Sequence, residues 1–125
     1  LKLKNKFKII VSFMVFLLVG CAADTHSSLT EEMLGNLNNL VSVLQSVQDS
    51  SSAQNAISQI EQINILGKDI QKRMDELGQP SEDMLKDLES KFSSKIEEST
   101  TNLREVLGGL IETEFGLDIM KALNK

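Results

Sequence analysis

Apolar residues recur along most of this chain with the 3.6-residue period of an α-helix, in three long stripes separated by short polar breaks. Met33, Leu37, Leu40, Val41, Leu44 and Val47 share one face and predict a first helix over about Leu29 to Gln48. Ser28 and Glu31 have the spacing of a capping box at its start. The polar run Asp49-Ser50-Ser51-Ser52 predicts a turn, and Ser51 with Gln54 offers a second box. Ala53, Ala56, Ile57, Ile60, Ile63, Leu66, Ile70, Met74 and Leu77 then trace a second helix from about Ser52 to Leu77. Gly78 suits a left-handed helix end, and Pro80 stops the helix from continuing. Ser81 opens a third helix, with Glu82 and Asp83 well placed for its dipole. Leu85, Leu88, Phe92, Ile96, Leu103, Val106, Leu107 and Leu110 form its stripe, which Ser99 to Asn102 interrupt. Gly108-Gly109 reads as punctuation after it.

No strand pattern occurs. Each amphipathic helix must bury one face, and short connections make neighbours antiparallel. The expected fold is all-α, a three-helix up-down-up antiparallel bundle or a long helical hairpin, with a short C-terminal helix. A bundle of this size with no covalent staple has modest stability, because burial and chain entropy nearly cancel. Gly67 is a costly residue inside a helix. Folding helices 2 and 3 back about the Gly78–Pro80 turn places Gly67 beside Phe92. The missing side chain would then make room for the ring, so that leucine at position 67 overpacks this layer.

The N-terminus follows a different pattern. Lys2, Lys4, Lys6 and Lys8 fall in the first eight residues, and Ile9 to Val19 is an uncharged apolar run of 11 residues. A spanning helix needs roughly 20 apolar residues, so this run fits the h-region of a signal peptide instead. It leads directly into Leu18-Val19-Gly20-Cys21. These four residues, at that position, resemble the lipobox of bacterial lipoproteins.

That resemblance implies that Leu18, Val19 and Gly20 are read by a dedicated signal peptidase, which cuts before Cys21. It further implies a diacylglyceryl group on the Cys21 sulfur and an acyl group on the new amine. The organisation expected is a signal peptide over 1–20, a lipidated cysteine and tether over 21–28, and a helical domain over 29–125. One acyl chain binds a membrane only reversibly, and two or more hold firmly. Aspartate after the cysteine is the family's usual inner-membrane retention signal, and Ala22 stands there instead. The implied location is the periplasmic face of the outer membrane in a cell with two membranes, or the outer face of the plasma membrane in a cell with one. Val47–Ala56 (VQDSSSAQNA) and Leu77–Asp83 (LGQPSED), with the long helices around them, are similar to small helical bacterial envelope proteins without an assigned activity.

Charge and composition narrow the function. The first 20 residues hold four lysines and no acid, so the remainder carries nine basic residues against 18 acidic ones, a net charge of −9. With no basic stripe to displace phosphate counterions, nucleic acid is excluded as a partner. The same charge disfavours electrostatic docking on anionic lipid. Trp and Tyr are absent, and only Phe92 and Phe115 lie beyond the N-terminal segment, too few for a stacking platform. Cys21 is the only cysteine, so lipidation leaves no disulfide, thiolate nucleophile or cysteine metal site.

Candidates for chemistry are few. His26 is the only histidine and falls in the expected tether, where no fixed geometry supports a catalytic or metal-binding role. Asp75, Glu76, Glu82, Asp83, Asp87 and Glu89 gather about the Gly78–Pro80 turn without EF-hand spacing, and read as a solvated acidic end. Met33, Met74, Met84 and Met120 read as core filler. No phosphate loop or nucleophile motif occurs. The expectation is therefore no enzyme and no cofactor beyond the covalent lipid. A structural or interaction module remains, binding another envelope protein or itself. The alternative is a carrier or sensor of a small apolar ligand held between the helices near Ser99 and Gly67.

The charge reading has a direct test. A gel-shift titration of the protein against DNA and RNA at physiological salt is expected to show no retardation. Micromolar, salt-sensitive binding would contradict it.

Overall fold

A computed structural model describes residues 23–125, which form three long helices and one short one, with no strand among them. Helix α1 spans His26–Gln45, α2 Ser50–Leu77, α3 Glu82–Ile111 and α4 Gly116–Leu123. The chain runs up, down and up, as the stripes predict. Its packing order differs from its sequence order. α1 lies against both α2 and α3, while no Cα of α2 comes within 8 Å of a Cα of α3.

The helix starts sit earlier than periodicity places them. α1 begins three residues before Leu29, capped by Thr25: its hydroxyl accepts from the Ser28 N–H, and its own N–H donates to Ser28 Oγ. The first buried apolar side chain is Leu29, so the opening turn is invisible to an apolar stripe. α2 begins at Ser50, capped by Asp49, whose carboxylate accepts from the Ser52 N–H at 2.8 Å. Ser81 caps α3 as expected.

Gly78 ends α2 with φ 76° and ψ −170°, a backbone region open essentially only to glycine. α3 then runs without a break through both places where an interruption was expected. Ser99 is buried, and its hydroxyl donates to Asn38 Oδ1 of α1 at 2.5 Å, while Thr100, Thr101 and Asn102 face water. Gly108 and Gly109 lie inside the helix, next to open space.

The core is concentrated at one end. Val43 and Leu44 of α1, Ala56, Ile60 and Ile63 of α2, Leu110 of α3, and Ile119 and Ala122 of α4 form one buried cluster. α4 packs against α2 and the end of α3, closing the bundle there. Asn64 Nδ2 donates to the Ala122 carbonyl at 2.9 Å and holds the short helix down. The turn that brings α4 back depends on Gly116. A Cβ at this position would lie 2.6 Å from the Leu110 carbonyl oxygen and 3.0 Å from Ile111 Cα, both of them backbone.

Gly67 does not accommodate Phe92. Its neighbour is Asn36 of α1, because α1 and not α3 packs on this face of α2. Asn36 Nδ2 reaches past the missing side chain and donates to the Ile63 carbonyl at 3.1 Å. Asn36 Oδ1 is buried with no donor among the described residues. The expected cost of overpacking against Phe92 therefore has no structural basis.

Gly116→Ala is expected to lower stability by about 1–3 kcal/mol, since neither backbone contact can yield cheaply. Gly67→Ala is expected to raise it by up to about 1 kcal/mol, because its Cβ meets Asn36 Nδ2 at an ordinary 3.5 Å and alanine favours the helix. Denaturant midpoints of the two variants check this, and shifts in the same direction would contradict it.

Asp49 supplies a pH dependence. Hydrogen bonds from the Ser52 N–H, and then from its hydroxyl, hold the carboxyl below its ordinary value of 3.8. A depressed folded pKa means that the stabilisation is present above the unfolded value and is lost as pH falls through the folded one. Asp49→Ala is accordingly expected to lower the midpoint at neutral pH, by an amount that fades below the ordinary value. A difference that persists undiminished in acid would show that the carboxylate charge is not the cause.

Candidate functional site

The lipobox residues Leu18, Val19 and Gly20, and Cys21 itself, lie outside the described residues. Two larger surface grooves and one polar cluster stand out among the described residues. No helix among them is long and apolar enough to cross a membrane, and no group of three His, Cys, Asp or Glu side chains among them is placed to hold a metal ion.

The larger groove, about 810 Å³ in volume, runs along α3 and borders α1 only at Thr30. It exists because α2 packs on the other side of α1, leaving this flank of α3 without a neighbour. Leu88, Phe92 and Thr30 form its floor. Phe92 is buried, and Thr30 turns its hydroxyl away by donating to the His26 carbonyl at 2.6 Å, so the floor presents mainly carbon. Leu85 and Ile96 flank it with 51% and 38% of their surface exposed, values typical of a contact surface and not of a closed core. Glu89, Glu97 and Arg104 stand at the edges. None of these three is in an ion pair among the described residues. The groove therefore joins an apolar strip to free charges of both signs.

The second groove, about 730 Å³ in volume, lies between α1 and α2 and includes Met33, Leu37, Leu40, Gly67 and the chain end at Leu123 to Lys125. Met33 is 46% exposed and is not core filler. Ser99 and Gly67 are not brought together. Ser99 packs at Asn38 and Gly67 at Asn36, two positions about 200° apart around α1. A single ligand cavity touching both is absent from the described residues.

The polar cluster lies toward the α2–α3 turn, away from the main buried cluster. Arg73 of α2 donates to both carboxylate oxygens of Glu32 on α1, to Asp69 Oδ2 at 2.9 Å, and to Asp24 Oδ1 at 3.2 Å. The Glu32 hydrogen bonds, then the Glu32, Asp24 and Asp69 charges, raise the guanidinium pKa further above its ordinary value. Arginine's planar fork of five donors is what allows one side chain to serve three carboxylates. His26 is part of the same end. Instead of lying in a tether, it is the first residue of α1, and its Nε2–H donates to the Gly78 carbonyl at 2.9 Å. That carbonyl can only accept, so Nε2 carries the proton in the neutral ring.

Two of the acidic side chains about the α2–α3 turn engage locally. Asp75 accepts from Gln71 and Asp87 pairs with Lys91, each one helical turn away. Periodicity reveals none of this cluster, because Asp24, His26, Glu32 and Arg73 lie outside the apolar stripes. The one available signal is a lone arginine in a helix otherwise rich in acids and amides. No protein-family model, curated protein or solved structure matches this chain, so its function has to be read from its own residues.

Proposed function

We propose that this protein is a lipid-anchored envelope lipoprotein, a helical module that receives a helix of another envelope protein. The anchor part rests on the n-region, the h-region and the Leu18-Val19-Gly20-Cys21 box. A lipid on Cys21 would supply membrane attachment, and none of the described helices is long and apolar enough to cross a membrane.

The observation that carries the interaction part is the uncovered strip of Leu85, Leu88, Phe92 and Ile96 along α3. From Leu85 to Arg104 the groove follows the helix for about 29 Å, the length of a 20-residue partner helix. An amphipathic helix laid there would bury its apolar stripe on Leu85 and Ile96, and would set its register through Glu89, Glu97 and Arg104. These charges of both signs suit a protein partner better than the apolar core of a bilayer.

Two measurements test the reading. Growing cells with a labelled fatty-acid analogue should label the protein, and Cys21→Ser should remove the label and leave an uncut precursor. Label persisting on that variant would overturn the anchor. A photo-crosslinking residue placed at Leu85 or at Ile96 in cells should give the same adduct, and one at exposed Glu105 should give none. The double substitution Leu85→Glu and Ile96→Glu should weaken capture at least tenfold, about 1.4 kcal/mol, with the fold intact by circular dichroism. An adduct of twice the chain mass would replace the partner with a second copy, and no adduct at either position would overturn the interaction reading.

A further inference from the structure

We infer that the bundle stands on the membrane by its α2–α3 end, with the Asp24–Arg73 pair taking the slack out of its tether. This rests on the lipid anchor proposed above and adds what an anchor alone leaves open, namely which end of the molecule meets the headgroups.

The sequence suggests a tether of seven residues, Ala22 to Ser28, which would let the domain turn freely. The structure shortens it from the domain side. Helix α1 already begins at His26, with Thr25 as its cap. One residue earlier, the Asp24 carboxylate accepts from Arg73 Nη1 at 3.2 Å. Arg73 is itself held by Glu32 across the α1–α2 interface and by Asp69 one turn back on its own helix. Asp24 is thereby tied to the framework of the bundle and not merely to a neighbouring loop.

The His26–Gly78 hydrogen bond fixes the next segment of chain to the end of α2. Two contacts, from Asp24 and from His26, therefore fasten the start of the domain to the last turns of α2 and its Gly78 cap. Between Cys21 and Asp24 only Ala22 and Ala23 remain, and three residue steps of extended chain reach at most about 11 Å. The lipid must enter the membrane within that distance of Asp24.

The opposite end, with the Ser46–Asp49 turn and the start of α4, lies the full length of α1 away, about 30 Å. An anchor this short at one end holds Gly78 to Ser81 near the headgroups and points α4 outward. The alternative pose lays α3 flat, with its apolar groove in the interface. Glu89 and Glu97 at the groove's edge oppose that pose by forcing carboxylates toward lipid. Standing upright leaves the groove open from the side, where a partner on the same membrane can reach it.

Lipidation of Cys21 would leave the chain with no free thiol, so a single cysteine placed at exposed Gln79 or exposed Gln48 takes a fluorophore cleanly. The full chain is expressed in cells, purified, and reconstituted in phosphatidylcholine vesicles that contain a headgroup-nitroxide lipid. The mass of the purified chain reports the lipid independently of fluorescence. With the 28 residues of α2 between the two positions, a separation of about 40 Å, quenching at 79 is expected to exceed that at 48 by at least about threefold.

Asp24→Ala cuts only the tether's tie, leaving the Thr25 cap and the Glu32–Arg73 pair in place, and is expected to reduce that ratio by about half. Arg73→Met should do the same. If the mass shows an unmodified Cys21, the anchor fails and this inference fails with it. If the lipid is present and the two positions quench equally, the anchor stands and the upright pose is overturned. An unchanged ratio in both variants would remove Asp24 and Arg73 as the positioning residues.

Discussion

One helix has to satisfy two neighbours at once, and most of this structure follows from that. α1 is the shortest of the three long helices, yet it is the one that both α2 and α3 pack against. Leu29 and Leu44, near its two ends, are almost wholly buried. Apolar side chains alone cannot line opposite sides of an amphipathic helix without making it apolar all round. α1 meets this by using asparagine at both seams. Asn36 donates to a backbone carbonyl of α2, and Asn38 accepts from Ser99 of α3. Amides tolerate water as well as burial, so each seam can be only partly closed and still hold.

Placing α1 in the middle keeps α2 and α3 apart, and the two ends of the bundle resolve that gap differently. At one end α4 folds back and brings Ile119 and Ala122 into the shared core. At the other end no element plays this part. The flank of α3 stays open there, and polar ties add to the buried Leu29, Ile70 and Phe92: Arg73 with three carboxylates, and His26 with the Gly78 carbonyl. Ion pairs at exposed positions add little to stability singly, but a shared, bidentate arginine fixes geometry more firmly than isolated pairs do. The bundle therefore has an apolar end that secures its fold and a polar end that sets where the chain enters. The apolar strip exposed beside that polar end is what connects architecture to function in the proposed module.

Glycine shows how differently the same residue type can act in one chain. Gly78 is required by its backbone angles, and Gly116 by two backbone atoms that leave no room for a Cβ. Gly67 leaves a space that an asparagine amide crosses, and Gly108 and Gly109 face open space. Only Gly78 could be assigned a role from its neighbours in sequence, since a following proline marks a helix end. The others depend on which element packs opposite, and sequence spacing does not carry that information.

The sequence by itself determined the all-helical class, the three long stripes, the end of α2 at Leu77 and the Ser81 cap of α3. Each of these is set by local propensity, apolar period and backbone chemistry within a few residues. It also determined the acidic charge of the body and the lipobox pattern, which are properties of composition and order. Only the tertiary structure decided that α1 lies between its two neighbours. Three amphipathic stripes can be buried in more than one packing order, and short loops fix direction without fixing partners. The same decision placed Asn36, not Phe92, against Gly67, buried Ser99 within an unbroken helix, and left Leu85 and Ile96 in the open. The Arg73 cluster and the place of His26 were likewise decided there, because residues 24, 26, 32, 69, 73 and 78 come together only when the helices are packed.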